Sequence, residues 1–330
     1  MNSNKPILAL SETKPRVVLR FLNFLGNIRL VLVLIVIVAI FTILNKSYFS
    51  VNNLYTILMS ASIIGLACIG QTFCLLTGGF DLSVGSIVLI SGVTAGYLIR
   101  NLGVGVWVAF LIIIVEGIII GLINGLLITK GRINPLIATL AMSSILSGLV
   151  FFLSKGKFIN VKEESFRFLG LYRILDLKFL QMPIIIMFVL FVIFFIILKY
   201  TYYGRYIYAI GGNKIAARFS GINVNLLNAS VYVISGTLSA LGGYIFASRV
   251  GAAQPTIGGN FALSSIAAVI LGGISLSGGK GSIFGAFTGV LILQSISIGL
   301  LGLGLESSYQ YIASGLVMLI AIFFDVFRRK

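Results

Sequence analysis

The amino-acid sequence predicts an all-α fold: a polytopic helical membrane protein with about ten transmembrane helices and an internal repeat. Of its 330 residues, 58% are hydrophobic and only 10% are charged, against about 25% in an average soluble domain. Too few polar side chains remain to coat the surface of a water-soluble globule. The mean hydropathy of +1.11 also excludes disorder, which requires low hydrophobicity.

Ten apolar segments approach the length of about 20 residues that crosses about 30 Å of hydrocarbon. The predicted spans are residues 29–45, 55–76, 84–99, 105–128, 135–153, 183–198, 227–247, 262–276, 282–303 and 308–324. The first is expected to be retained, because no small-residue cleavage site follows it. We expect a transmembrane domain over 30–324, between a cytoplasmic N-terminal tail of 1–29 and a cytoplasmic tail of 325–330.

Basic residues decide the predicted orientation in the membrane. The chain has 24 Lys and Arg against 8 Asp and Glu, a net charge of +16. With the N-terminus inside, most of these cations lie in the tails and inner loops, as the positive-inside rule requires, although the outer 154–182 loop is also basic. We expect a multi-pass protein of the bacterial inner (plasma) membrane with both termini cytoplasmic. Because the cations lie in short segments between apolar runs, they favour contact with membrane lipid over nucleic acid.

Several kinds of chemistry are excluded by what the sequence lacks. It contains no His, which excludes His-based catalysis and His-bound metal. Cys68 and Cys74 lie in one apolar stretch, which does not support a disulfide framework. Gly279-Lys280 is followed by Gly281, where a phosphate-binding loop requires Ser or Thr. We expect no catalytic residue, no metal and no cofactor, so that any ATP is hydrolysed by another chain and this one is not an enzyme.

Two Gly-rich stretches form an internal echo. Residues 78–87 read GGFDLSVGSI, and residues 272–283 read GGISLSGGKGSI. Glycine pairs permit non-helical backbone, and paired interruptions of hydrophobic segments in two halves are typical of duplicated transporters. We predict helix breaks or gates at Gly78, Gly79, Gly272 and Gly273. The sequence leaves open whether the repeats are parallel or inverted.

Polar residues inside the apolar segments are the candidates for a substrate pathway. Asp81 lies at the first predicted break, where it either lines the pathway or caps the helix that follows. Glu116 lies midway along an apolar run and is either a pathway contact or a paired structural carboxyl. Gln71 and Asn124 are weaker candidates, because interhelical hydrogen bonds between such groups are common.

Glycines at every fourth position predict close helix packing. One series is Gly117, Gly121 and Gly125, and another runs from Gly281 through Gly285 to Gly289. Such stripes let a second backbone approach closely, within the chain or, as an alternative, in a dimer.

The segment 199–226 is the longest predicted inner connection, with four basic residues, Arg205 and Arg218 among them, and no acidic ones. It is either a solvated loop against anionic lipid or a docking surface for a cytoplasmic partner. Residues 215–219 could form a short helix within it.

Four stretches resemble the permease subunits of ABC importers for sugars, the ribose/xylose/arabinose permease family. They are LTGGFDLSVGSIVLISG at 76–92, GLINGLLITKGRINPLIATLAM at 121–142, YAIGGNKIAARFSGINV at 208–224 and AAVILGGISLSGGKGSIFGAFTGVLIL at 267–293. The resemblance runs from about residue 30 to the C-terminus. It departs from the family pattern at Lys214, where an acidic or polar residue is usual, and at Asn134, where Pro is common.

The resemblance implies a permease that works as a pair, as a homodimer or with a paralogue. It also implies an ABC ATPase subunit docked on the inner loops and a soluble extracytoplasmic sugar-binding protein docked outside. The loop positions that the family pattern places near the ATPase are Gly211, Gly212, Asn213, Ala217, Arg218 and Gly221. Together with the basic Arg205, they define the predicted coupling loop, 199–226.

We therefore predict a transmembrane permease subunit of an ATP-driven importer. It would move a monosaccharide of the ribose type, or a similar small polar solute, by alternating access. The same machine carrying a branched-chain amino acid, a nucleoside or a furanosyl signal molecule is one alternative. A secondary transporter driven by an ion gradient, with Asp81 and Glu116 as ion sites, is another.

Overall fold

The computed structural model describes residues 16–255 and 261–327, and helices make up most of them. In chain order the α-helices are α1 Arg16–Leu44, α2 Val51–Leu76, α3 Val84–Leu102, α4 Val106–Thr129, α5 Pro135–Ser154, α6 Phe168–Leu171, α7 Met182–Tyr200, α8 Tyr202–Gly212, α9 Lys214–Phe219, α10 Val224–Val250, α11 Phe261–Leu271, α12 Ile283–Gly302 and α13 Ser307–Phe327. Short 3-10 helices cover Lys46–Tyr48, Glu164–Arg167, Ile174–Asp176 and Lys178–Leu180. Two short strands, β1 Ile159–Asn160 and β2 Ala252–Ala253, pair antiparallel.

Each predicted apolar segment is helical over all or most of its length. Among the described residues, seven helices are long and apolar enough to cross a membrane: α2, α3, α4, α5, α7, α10 and α12. The all-α, polytopic class is therefore confirmed, whereas the count of ten spans stays a prediction. The largest difference is α11, which ends at Leu271 and not at residue 276. At 1.5 Å per residue, its 11 residues cover only about half of the hydrocarbon thickness.

Helices α2 and α10 form the centre of the bundle. In α2, 89% of the most apolar stretch is buried, against 28% in α5 and in α7. Helix α10 packs along α2, α3 and α4. Many of the exposed Leu, Ile, Val and Phe side chains lie on α4, α5 and α7. Exposed apolar faces of this size mark contact with membrane, so these outer helices face lipid or another membrane subunit.

The predicted glycine stripe on α4 packs against α10 within the chain. A Cβ atom built on Gly117 would lie 2.6 Å from Ala240 Cβ, and one on Gly125 would lie 2.8 Å from Ala229 Cα. At Gly121 the atom would lie 2.7 Å from Val233 Cα. Real Cβ atoms do not approach backbone so closely, so only glycine permits this helix spacing. The packing interpretation of the stripe is confirmed.

The basic 154–182 loop is an ordered cover over one end of α3 and α10. Strand β1 in this loop pairs with β2 just after α10. The Phe166 ring is fully buried and contacts the Tyr244 ring edge-on, with 5.4 Å between centroids. Ser248 Oγ donates to the Phe166 carbonyl at 2.5 Å. These contacts fix the position of the loop relative to the helices.

Candidate functional site

The first helix break, residues 77–83, begins with a glycine-terminated helix end. Gly78 has φ +76°, and its N–H donates to the Leu75 carbonyl at 2.9 Å. The Gly79 N–H reaches back to the Cys74 carbonyl at 2.9 Å. This pair of bonds is the Schellman motif, which satisfies the last carbonyls of a helix and requires a left-handed residue. The predicted interruption at Gly78 and Gly79 is present as a helix end.

The second helix break, residues 272–282, begins with the same motif, shifted by one residue relative to the aligned glycine pair of the first break. Gly273 has φ +84°, and its N–H donates to the Ile270 carbonyl at 2.8 Å. The Ile274 N–H donates to the Val269 carbonyl at 3.2 Å. The left-handed residue is thus the second glycine of this pair, whereas it is the first glycine of the other. Gly272 serves instead for close approach, since a Cβ there would overlap the Gly285 carbonyl of α12.

Asp81 ties the first break to the core of the bundle. Its Oδ1 accepts from the Ser83 N–H at 3.0 Å and from Ser83 Oγ at 2.5 Å. Its Oδ2 accepts from Ser235 Oγ of α10 at 2.7 Å, and Asn124 Nδ2 of α4 donates to Ser83 Oγ at 2.9 Å. All four side chains are fully buried. We call Asp81, Ser83, Asn124 and Ser235 the aspartate network.

The interpretation of Asp81 as the cap of the helix that follows it is wrong. The N-cap of α3 is Ser83, and its side chain makes no capping hydrogen bond. The Asp81 carboxyl does not bind the first N–H groups of α3, because its oxygens bind the N–H and hydroxyl of Ser83 and the hydroxyl of Ser235. Asp81 therefore anchors the chain before the helix.

Gln71 and Glu116 lie outside the hydrogen bonds of the aspartate network. Glu116 Oε1 accepts from Thr94 Oγ1 of α3 at 3.0 Å, while its Oε2 has no hydrogen-bond partner among the described residues. Gln71 is fully buried, and neither atom of its amide has a partner in the described part of the chain. The structure thus joins only Asp81 and Asn124 among the four predicted pathway residues.

We expect Gln71→Met to leave the protein folded with an unfolding temperature no lower than wild type, while uptake of its substrate falls severalfold. An unpartnered buried amide adds nothing to the stability of this conformation, but a pathway residue needs its polar group. Thermal unfolding of the detergent-purified protein and uptake by the complete transport complex in proteoliposomes measure the two effects.

The matched control is Gln181→Met. Gln181 is 1% exposed, and its Nε2 donates to the carbonyls of Gly170 and Leu171, both at 3.2 Å. Its Oε1 also accepts from the Tyr55 hydroxyl. Losing these bonds should lower the unfolding temperature. A Gln71→Met protein with wild-type uptake would remove Gln71 from the pathway.

Both helix breaks and the predicted coupling loop meet at one point, which we call the glycine junction: residues 76–79, 211–212 and 277–281. The Gly279 N–H of the second break donates at 2.9 Å to the carbonyl of Leu76, the last residue of α2 before the first break. A Cβ built on Gly211 would overlap both Leu76 O and Gly279 N. Tyr208 of α8 donates from its hydroxyl to the Gly281 carbonyl at 3.0 Å. Backbone touches backbone here because Gly211 and Gly279 carry no side chain.

The short helix expected at residues 215–219 is confirmed as α9, Lys214–Phe219. Several of the remaining predicted coupling-loop residues lie in α9 or next to its ends. Asn213 is its N-cap and accepts from the N–H groups of Ile215 and Ala216 at 2.9 and 3.0 Å. Gly221 has φ +80° and follows the helix end. Arg218 is exposed on α9.

Two other predicted loop residues lie on α8. Arg205 is exposed and stacks its guanidinium 4.2 Å from the Tyr202 ring centroid. At Gly212 an added Cβ would meet nothing within 4 Å. These placements do not test the predicted contact with an ATPase.

Sequence reasoning missed several partners in this region. Ser235 lies in the small-residue run SGTLSALGG, which signals close packing but not a bond to Asp81. Tyr232 places its hydroxyl 3.4 Å from the Phe80 carbonyl, and Tyr208 binds the second break. A hydroxyl-bearing side chain in an apolar helix is a general signal for a hydrogen bond, but it does not identify the partner.

Comparisons with known proteins agree with this architecture. A family model described as the branched-chain amino acid transport system / permease component matches residues 53–322. The chain is 38% identical to the ribose import permease protein RbsC of Haemophilus influenzae, over 92% of this chain and 94% of that protein. It is 43% identical to RbsC of Bacillus subtilis, over 88% and 90%. It is 36% identical to the L-arabinose transport system permease protein AraH of Escherichia coli, over 82% of each. No solved structure matches the chain.

The seven long apolar helices define a multi-pass membrane protein, and the family match assigns it to the permease class. The chain belongs to the permease-component family that the model describes. The resemblance to permease subunits of sugar ABC importers is likewise confirmed.

Proposed function

We propose that the chain is the transmembrane subunit of an ATP-driven importer for ribose or a closely related monosaccharide. The observation that carries this proposal is the identity of 38–43% to ribose import permeases over about nine-tenths of the chain. The polar groups near the first break are mostly uncharged hydroxyls and amides, which suit a neutral polyhydroxylated solute.

Alternating access would act through the two helix breaks. Glycines with positive φ at Gly78 and Gly273 let the backbone change direction without the cost that a side chain would add. The aspartate network holds the first break to α4 and α10. We propose that the breaks form the gate, and that Gln71, Asp81, Glu116 and Asn124 lie on or beside the path of the solute.

The coupling loop 199–226 has the chemistry of a docking surface for an ATPase subunit. Phe219 and Ile215, both in the short helix α9, are apolar side chains that are 88% and 70% exposed. Exposed Lys214 and Arg218 flank them. The exposed apolar side chains Ile215 and Phe219, with Lys214 and Arg218 beside them, fit a partner groove that is apolar at its centre and acidic at its edge.

The complex would have further members. A soluble extracytoplasmic binding protein would deliver the sugar to the side that carries the 154–182 loop. A second copy of the chain or a paralogue would complete the translocation path between two subunits. Both termini would then be cytoplasmic, and the exposed apolar faces of the outer helices would contact lipid.

Arg218→Glu tests the docking surface. We expect the variant to reduce co-purification of the ATPase subunit at least about tenfold, since reversing a charge at a complementary interface costs more than 1.4 kcal/mol. Uptake should fall with it. Lys157→Glu, an exposed charge reversal in the 154–182 loop, is the matched control and should leave co-purification unchanged. Wild-type co-purification and uptake in Arg218→Glu would contradict the docking surface.

The cargo is tested with the reconstituted complex of permease, ATPase and binding protein. Radiolabelled ribose should be taken up in an ATP-dependent manner. A second candidate is a branched-chain amino acid, because the matching family model carries that description. Uptake of leucine without ribose would favour this second cargo. Uptake by the permease alone under an ion gradient would overturn the ATP-driven mechanism.

A further inference from the structure

We propose that the glycine junction transmits movement of the coupling loop to both helix breaks at once, with Gly211 and Tyr208 as its positioning residues. This inference rests on the proposed function, since it assumes that a partner moves the coupling loop. It adds a specific contact between the loop and the two breaks that form the gate. Along the chain, Gly211 lies about 130 residues after the first break and about 65 before the second.

Gly211 lies between the two breaks. A Cβ at this position would overlap the Leu76 carbonyl, where α2 ends, and the Gly279 N–H of the second break. These two groups are themselves hydrogen-bonded at 2.9 Å. Gly211 therefore packs against the hydrogen bond between Gly279 and Leu76, and a displacement of the loop backbone toward this bond displaces or opens it.

The contact is rigid because the second break surrounds the loop with its own backbone. A Cβ built on Gly278 would lie 3.1 Å from Gly211 Cα and 2.9 Å from Gly78 N. One built on Gly279 would lie 2.7 Å from Gly212 N. Packed backbone is nearly incompressible, so a shift on one side is passed on and not absorbed. Gly211, Gly278 and Gly279 have no side chain that could rotate out of the way.

Helix α8 is fixed to its neighbours by burial and hydrogen bonds, so a movement of the coupling loop moves the helix as a unit. Its Ile207 and Ile210 side chains are fully buried, and Tyr203 Oη lies 2.7 Å from Ser230 Oγ of α10. Tyr208 is half-buried and donates to the Gly281 carbonyl at 3.0 Å. Burial raises the pKa of Tyr208, so the phenol keeps the proton that it donates. Tyr208 thus joins the far end of the second break to α8, the helix that also contains Gly211.

The second break has the conformational freedom that a moving element needs. Gly278, Gly279 and Gly281 have φ values of +84°, +71° and +132°, which L-residues with side chains rarely adopt. The junction therefore brings closely packed backbone together with glycines, which tolerate dihedral angles that other residues do not. Hinges that absorb large dihedral changes beside rigidly packed elements have this arrangement.

Gly211→Ala in the complete complex, reconstituted with its ATPase and binding protein, tests the proposal. Uptake is compared per ATP hydrolysed, so that the result does not depend on how much ATPase subunit co-purifies. Ribose taken up per ATP hydrolysed should fall at least about tenfold, because the methyl group separates the loop from the breaks. Gly148→Ala is the matched control, since Gly148 lies in α5 and an added Cβ there meets nothing within 4 Å. It should keep the wild-type ratio.

Tyr208→Phe provides a second measurement that does not depend on tolerance of the added methyl group. It removes one hydrogen bond without changing shape, and we expect uptake per ATP to fall about threefold while the folding free energy falls by only about 1 kcal/mol. Tyr206→Phe, at an exposed tyrosine of the same helix, should have no effect. The proposal is overturned if Tyr208→Phe, and Gly211→Ala where it folds, keep the wild-type ratio. A wild-type complex that captures no ATPase would instead refute the proposed function.

Discussion

Gly121→Leu is expected to prevent the protein from reaching its folded state. A Cβ at this position would overlap the Tyr232 carbonyl and lie 2.7 Å from Val233 Cα. Both obstacles are backbone, so no rotamer change can make room for a larger side chain. Overpacking typically costs about 1–3 kcal/mol for one extra group, and Leu adds four carbon atoms. The measurement is the yield of monodisperse protein in detergent and its unfolding temperature.

A graded series shows whether backbone contact is the cause. Gly121→Ala adds only the Cβ and should lower the unfolding temperature while leaving measurable folded protein. Gly148→Ala is again the neutral comparison, because the space around its Cβ is open and alanine is the better helix former. A folded Gly121→Leu protein with the wild-type unfolding temperature would show that α4 and α10 can separate without loss.

The glycine pattern explains why so much of the architecture could be predicted. The spacing of Gly117, Gly121 and Gly125 identifies a helix face that another backbone must approach. The pairs Gly78-Gly79 and Gly272-Gly273 identify helix ends, since left-handed residues terminate helices. Each of these signals is local: it depends on one residue type at a fixed spacing.

The partners across the fold could not be predicted in the same way. The pattern on α4 shows that some helix packs there, but it does not show that the helix is α10. The bond between Gly279 and Leu76 joins residues about 200 positions apart, and it depends on how the whole bundle closes. Spacing along the chain carries no information about such contacts.

The candidate site shows the same limit. Asp81 was identifiable because a carboxyl inside an apolar segment is costly and must find partners. Its partner Ser235 was not identifiable, because serines are common in small-residue packing runs. Asn213 and Gly221 were implied by the resemblance as coupling-loop residues, whereas in the structure they begin and follow the short helix α9.

Asp81→Ala is expected to unfold or severely destabilise the protein. The change removes the acceptor for the Ser83 N–H, for the Ser83 hydroxyl and for the Ser235 hydroxyl. Each buried donor left without a partner costs about 1–3 kcal/mol. The whole folding free energy of a protein is only about 5–15 kcal/mol. The unfolding temperature and the fraction of monodisperse protein measure this loss.

Asp81→Asn separates anchoring from a role in the pathway. The amide keeps one oxygen to accept both Ser83 bonds, and its Nδ2 can donate to Ser235 Oγ, since a hydroxyl turns to accept as easily as to donate. We expect a folded protein whose unfolding temperature is close to wild type. Uptake should still fall about tenfold, because the amide presents an N–H donor where Asp81, on the proposed path of the solute, presents a carboxyl oxygen.

Ser235→Ala is the matched control for the network. It removes only the bond that crosses to α10 and leaves both Ser83 bonds in place, so its effect on stability should be about 1 kcal/mol. Because the amide of Asp81→Asn keeps a hydrogen bond to Ser235, adding Ser235→Ala to that variant should cost a similar amount, with a coupling energy within about 0.5 kcal/mol. If Asp81→Ala unfolds like the wild-type protein and transports at its rate, the first break is held by other contacts, such as that of Tyr232 with the Phe80 carbonyl.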